Sequence, residues 1–140
     1  MISYMLDTNI CIHIIKHRAD ALYNKLSVLP VERVAISSIV HAELWYGVTQ
    51  SKKKVQNEAA LKDFLEYVNV LDWPSAAGQI YGKIRTHLKA KGTPIGAMDM
   101  LIAAHAVSVN AVLVTDNTKE FQRVPGLKLE NWLDRALLEK

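Results

Sequence analysis

Four carboxylates of this chain sit where an uncompensated charge is hard to keep. Asp7, Glu43, Asp99 and Asp116 each lie in or beside an apolar run: Tyr4-Met5-Leu6-Asp7, Val40-His41-Ala42-Glu43-Leu44-Trp45, Ile95-Gly96-Ala97-Met98-Asp99-Met100-Leu101-Ile102 and Val112-Leu113-Val114-Thr115-Asp116. Burying one carboxylate without a partner costs several kcal/mol even after relaxation. Each acid has a plainer reading taken singly: Asp7 as a helix N-cap, Glu43 as a solvated side chain, Asp99 as a complement to a helix dipole, Asp116 as a turn residue. Four of them across the chain suggest that folding gathers them around a shared cation. Oxygen donors select a hard divalent ion, Mg²⁺ or Mn²⁺.

The elements that must position these acids alternate. Ile2 to Leu6 reads as a buried strand ending at Asp7, and Asp7 or Thr8 can cap the helix that carries Ile10, Ile14 and Ile15. A second helix is expected over 19–28, stopped by Pro30. Val34-Ala35-Ile36 is a strand, with Ser37 or Ser38 capping a helix that carries Glu43 and runs to about Thr49. Ser51 to Lys54 reads as a basic turn or helix start. Leu61, Phe64, Leu65 and Val68 mark an amphipathic helix, followed by a short strand over 68–71. Ala77, Ile80, Tyr81, Ile84 and Leu88 define a helix over 75–91, broken by Lys91-Gly92-Thr93-Pro94. Residues 98–108 are helical and apolar nearly all round, hence central, with His105 as a satisfied core histidine. Ala111 to Val114 is a strand. Pro125-Gly126 makes a turn before an edge strand over 127–129, and 132–140 is a short helix or tail.

Strand–helix alternation gives right-handed crossovers and a mainly parallel sheet covered on both faces, a three-layer α/β/α domain spanning 1–140. In such sheets ligands collect at the carboxyl ends of the strands. Asp7 follows its strand directly and Asp116 comes two residues after the Ala111–Val114 strand, while Glu43 and Asp99 lie early in helices that start at that edge. All four acids are therefore expected on one side of the sheet.

Four ordered segments carry a family resemblance. Met5-Leu6-Asp7-Thr8-Asn9, Ser37-Ser38-Ile39-Val40-His41-Ala42-Glu43-Leu44, Gly92-Thr93-Pro94-Ile95-Gly96-Ala97-Met98-Asp99 with Ile102-Ala103, and Val114-Thr115-Asp116-Asn117-Thr118-Lys119-Glu120-Phe121 resemble PIN-domain ribonucleases. The likeness is to the VapC toxins of bacterial type II toxin–antitoxin pairs and runs almost to the end of the chain. It implies a metal-dependent endoribonuclease acting on RNA, with initiator tRNA as the substrate by analogy. Asp7 and Asp99 would ligate the metal. Glu43 would hold a second metal or position the attacking water. Thr8, Asn9 and Thr115 would support the carboxylates. The fourth family position falls on Asp116 by charge or on Asn117 by similarity, and both stay open. The resemblance also implies a VapB-like antitoxin as partner and a homodimer. Ile12, Ile15, Leu22 and Leu26 on the early helices are candidates for a groove that takes the antitoxin tail, or equally for plain core.

Other features bound the alternatives. The 140 residues carry a net charge of +3, half are hydrophobic and 22% are charged, an ordinary balance for a soluble domain. The basic pI of about 9.0 is compatible with a polyanionic partner. Arg85, Lys89 and Lys91 are candidates for gripping RNA, and Lys52, Lys53 and Lys54 form a second basic group. The single cysteine, Cys11, excludes an intramolecular disulfide and a cysteine zinc cluster, and fits a cytoplasmic protein. Neither a secretory signal nor a membrane span is expected. His41-Ala42-Glu43 matches half of a zinc deaminase motif, but the cysteine pair of the other half is missing. An aspartyl phosphatase would place a second Asp where this chain has Asn9. A non-catalytic nucleic-acid or protein-binding module on the same fold is the alternative from another class.

Overall fold

Val34, Ala35, Ile36 and Ser37 have no solvent exposure, which marks their strand as covered on both faces. In the computed structural model, which describes residues 1–16 and 20–133, this strand lies inside a five-stranded sheet. The strands are β1 (Tyr4–Leu6), β2 (Val34–Ser37), β3 (Asn69–Leu71), β4 (Val112–Val114) and β5 (Lys128–Glu130). Their order is β3-β2-β1-β4-β5, and all four pairings are parallel. From β1 the chain builds outward through β2 to β3, then returns to the other side of β1 as β4. Strand order therefore reverses between β1 and β4, and the crevice above their carboxyl ends is where an open parallel sheet binds ligands. The register Leu6↔Val114 and the bond from Asp7 N–H to the Val114 carbonyl, 3.0 Å, set Asp7 at that crevice.

The helices are α1 (Thr8–Ile15), α2 (Asp20–Ser27), α3 (Ser38–Gln50), α4 (Lys54–Leu65), α5 (Ala77–Ala90), α6 (Ala97–Ser108) and the short α7 (Thr118–Phe121). Helix α6 is the most enclosed: Met100, Ile102, Ala103, Ala104, His105 and Ala106 are all buried. The alanines have little side chain to hold neighbours off, so α6 lies close against its surroundings. At the end of α5, Gly92 takes φ +68°, with Gly92 N–H bonded to the Lys89 carbonyl and Thr93 N–H to the Leu88 carbonyl. That pair of bonds is a Schellman C-cap, which needs a left-handed residue. Asn110 plays the same part after α6 with φ 56°.

Some expectations shift. Helix α4 starts at Lys54 and ends at Leu65, so Val68 is buried in the link to β3 rather than in the helix. As the successive helices in the sequence imply, the crossovers carry helices in pairs, α1 with α2, α3 with α4 and α5 with α6. A 3₁₀ turn over Val31–Arg33 and helix α7 had no periodic signal, because neither is long enough to show one. Leu22 and Leu26 are each 1% exposed and belong to the core, not to a groove. The expectation for 134–140, and Ala19 of the second helix, lie outside the described residues.

Candidate active site

Asp7 is the N-cap of α1. Its Oδ1 accepts the Ile10 amide at 3.0 Å, and its Oδ2 accepts a short bond from the Thr115 hydroxyl. The side chain is buried, and burial pushes its pKa from 3.8 up to about 6 against the lowering effect of those two bonds; Asp116 and Asp99 push it further up. Asp99, in the first turn of α6, is also held above its ordinary value, first by burial and then by Glu43 and Glu120. A carboxylate raises another's pKa only when the two charges share a poorly screened space. Such repulsion links Asp7 with Asp116 and Asp99, and Asp99 with Glu43 and Glu120.

The supporting residues divide by side. Thr8 donates to Glu43 Oε1 at 2.7 Å, joining the first residue of α1 to the middle of α3. Thr115 donates to Asp7 while its oxygen accepts the Asn117 amide at 3.0 Å. Asn117 turns its side chain to Glu120, donating to Oε2 at 3.0 Å. Asp116 thus carries charge toward Asp7, whereas Asn117 orients a different acid. The Asp116 carboxylate also has His13 Nε2 at 3.9 Å. Asn9 is exposed and donates to none of these carboxylates. Gly96 leaves room for the site: a Cβ there would stand 3.3 Å from Asp99 Oδ2.

Glu120 was not foreseen. Its signal was present as Asn117-x-x-Glu120, the spacing that lets two polar side chains meet over one helical turn. A four-residue helix is too short for that spacing to stand out.

No lysine or arginine among the described residues forms an ion pair with Asp7, Glu43, Asp99 or Glu120. The donor set is all oxygen, anionic and partly desolvated, which suits a hard divalent cation. Among the described residues no three Asp, Glu, His or Cys side chains are already drawn in tightly enough to grip one ion together. Mg²⁺ does not require that, because it keeps several waters and is commonly held by one or two carboxylates.

Residues 4–127 match the PIN domain family. The chain belongs to that family. Among curated relatives, a ribonuclease VapC2 of Rickettsia felis is 52% identical over 130 residues, 92% of this chain and 97% of that protein. A tRNA(fMet)-specific endonuclease VapC of Salmonella typhimurium is 41% identical over 132 residues, 94% of this chain and 99% of that protein. The crystal structure of VapBC2 from Rickettsia felis bound to a promoter DNA fragment superposes with a TM-score of 0.89 at 51% identity, covering 95% of this chain and all of that one. The acid crevice therefore belongs to a PIN domain whose relatives are ribonucleases, and PIN ribonucleases are generally metal-dependent.

The basic candidates fall on or beside two helices. Arg85 is exposed on α5 and donates to the Tyr81 hydroxyl at 2.7 Å; Lys89 and Lys91 are exposed at the end of α5, ahead of the loop that leads to Asp99. Lys52, Lys53 and Lys54 are exposed at the start of α4. A groove of about 550 Å³ lies between α1, α3 and α4, lined by Ile12, Ile15, Glu43, Leu44, Val48 and Leu61 among others. Ile12 and Ile15 thus line a groove as expected, although Leu22 and Leu26 do not.

Proposed function

We propose that this PIN domain is the VapC-type toxin of a VapBC pair, a hydrolase that cuts RNA phosphodiesters with Mg²⁺ or Mn²⁺ and acts on tRNA. The observation that carries this reading is the acid set at the strand-order reversal, with Asp7 buried and Glu43, Asp99 and Asp116 half-buried, in a chain 41% identical to a tRNA(fMet)-specific endonuclease. In this reading Asp7 and Asp99 ligate the cation, with Asp116 adding charge beside Asp7. A divalent ion bound there lowers the pKa of a water and offsets charge on the phosphate oxygens. The Thr115 hydroxyl and Ile10 amide favour the ionised form of Asp7 and fix its orientation. Thr8 occupies Glu43 Oε1, which leaves Oε2 to orient the attacking water and accept its proton. In-line attack leaves a 5′-phosphate and a 3′-hydroxyl. Arg85, Lys89 and Lys91 hold the RNA backbone, contacts that place the strand without reading its sequence. The choice of tRNA(fMet) rests on the Salmonella relative's specificity.

The partner in this reading is a VapB-like antitoxin whose tail lies in the groove between α1, α3 and α4. Glu43 lines that groove and is bonded to Thr8 next to Asp7, so one tail can cover both. A homodimer and a cytoplasmic location complete the proposal; no helix among the described residues is long and apolar enough to cross a membrane. The test uses purified protein, tRNA(fMet) and a panel of other tRNAs, with the RNA ends sequenced. Cutting is expected with Mg²⁺ or Mn²⁺ and lost with chelator or Asp7→Asn. Cutting that survives both refutes the proposal.

A further inference from the structure

Below the acids, α3 and α6 are joined by polar contacts that the acid site itself does not make. Ser37, fully buried, caps α3 by accepting the Ile39 amide at 3.2 Å. The same hydroxyl lies 2.8 Å from Nδ1 of His105 on α6. His105 is 1% exposed, and burial holds its pKa below the ordinary value, so the ring is neutral. One residue further, the Ser38 hydroxyl accepts the Trp73 amide at 3.0 Å, and the Trp73 indole N–H donates to the Leu101 carbonyl of α6 at 2.9 Å. Two links from the foot of α3 thus end on the middle of α6.

The spacing gives these links a consequence. Glu43 stands six residues after Ser37, and Asp99 six residues before His105. At 1.5 Å per residue each acid is about 9 Å along its helix from the same bond. The rest of the buried face of α6 is alanine, isoleucine and methionine, whose packing is non-directional. Hydrogen bonds weaken steeply with angle, so the links resist a rotation or slide that alanine packing tolerates. Helices α3 and α6 also pack directly against one another, so the links act on the interface between the helix that carries Glu43 and the helix that carries Asp99.

We propose that His105 is a positioning residue: its bond to Ser37, seconded by Trp73, fixes the separation of Glu43 and Asp99 and thereby the affinity of the site for its divalent cation. This rests on the metal-site reading above. The experiment titrates full-length protein with Mn²⁺ in the absence of RNA and reads free Mn²⁺ by electron paramagnetic resonance. His105→Leu removes the bond, and His105→Asn keeps a polar atom at the Nδ1 position. Phe64→Leu, in the core portion of α4, serves as a control that lowers stability without touching the links. His105→Leu is expected to weaken Mn²⁺ binding about two- to thirtyfold, the range for a residue that modulates a site without touching its ligands. His105→Asn should restore most of the affinity, and Phe64→Leu should leave it unchanged despite a lower Tm. Trp73→Phe, which loses only the indole donor, carries the same test should His105→Leu not fold. Wild-type affinity in both link-breaking variants, or an equal loss in Phe64→Leu, overturns the inference. A wild type that binds no more Mn²⁺ than Asp99→Asn overturns the metal reading and this inference with it.

Discussion

Asp7→Asn should make the metal-free protein more stable at neutral pH while abolishing its activity. Asp7 is 5% exposed, and its pKa rises from 3.8 to about 6 on folding. The folded state therefore holds the Asp7 proton more tightly than the unfolded chain does. Stability from this group is fully present below pH 3.8 and is lost as pH climbs through about 6. A rise from 3.8 to about 6 corresponds to about 3 kcal/mol of destabilisation once the group is ionised in both states. Asn carries no charge and can still accept the Ile10 amide, but its amide group faces Thr115 and leaves that hydroxyl proton without an acceptor, at about 1 kcal/mol. The net gain is about 2 kcal/mol, or roughly 8 °C in Tm for a chain of this length. Thermal denaturation with chelator at pH 7.5 and pH 4.5 measures it. At pH 4.5 the charge penalty shrinks to about 1 kcal/mol, so the advantage of the variant should largely vanish. Adding Mg²⁺ to about a hundred times its Kd should return about 2.7 kcal/mol to the wild type and nothing to the variant. Parallel Tm curves for the two proteins across this pH range would refute the claim that the site stores uncompensated charge.

Gly92→Ala forces a β-carbon into the left-handed C-cap of α5 and should destabilise by about 1–2 kcal/mol, read as a fall in the urea midpoint. Asn110→Gly, at the equivalent turn after α6, should be close to neutral by the same assay. Val48→Glu places a charge on the wall of the groove between α1, α3 and α4, and should weaken antitoxin binding by at least tenfold in calorimetry while tRNA cleavage persists, since one uncompensated buried charge exceeds 1.4 kcal/mol.

Local chemistry explains why the acids were legible before the fold was known. An apolar run that stops at Asp7, and another that stops just short of Asp116, announce strands ending at one edge, because β-strands and their caps are read from neighbours in the chain. The same holds for the cap of α3, expected at Ser37 or Ser38 and found at Ser37, and for the enclosed α6. The division of labour between Asp116 and Asn117 was not legible. It depends on whether each side chain meets Asp7 or Glu120, and adjacent residues of a turn look alike in sequence. The burial of Leu22 and Leu26 was hidden for a related reason: helical periodicity shows that a face is apolar but not which element covers it.

The apolar runs around four acids were enough to suggest a shared cation, because burying a carboxylate is costly enough to need a reason that shows in one dimension, while the ribonuclease reading came from the resemblance of four ordered segments to the PIN family. The pairing of Thr8 with Glu43, of Thr115 with Asp7 and of His105 with Ser37 joins residues 35, 108 and 68 positions apart, and arises from the strand order that folds β4 against β1 and packs α6 under α3. Side-chain hydrogen bonds reach about 3 Å, so no local rule can foresee partners that only chain topology makes neighbours.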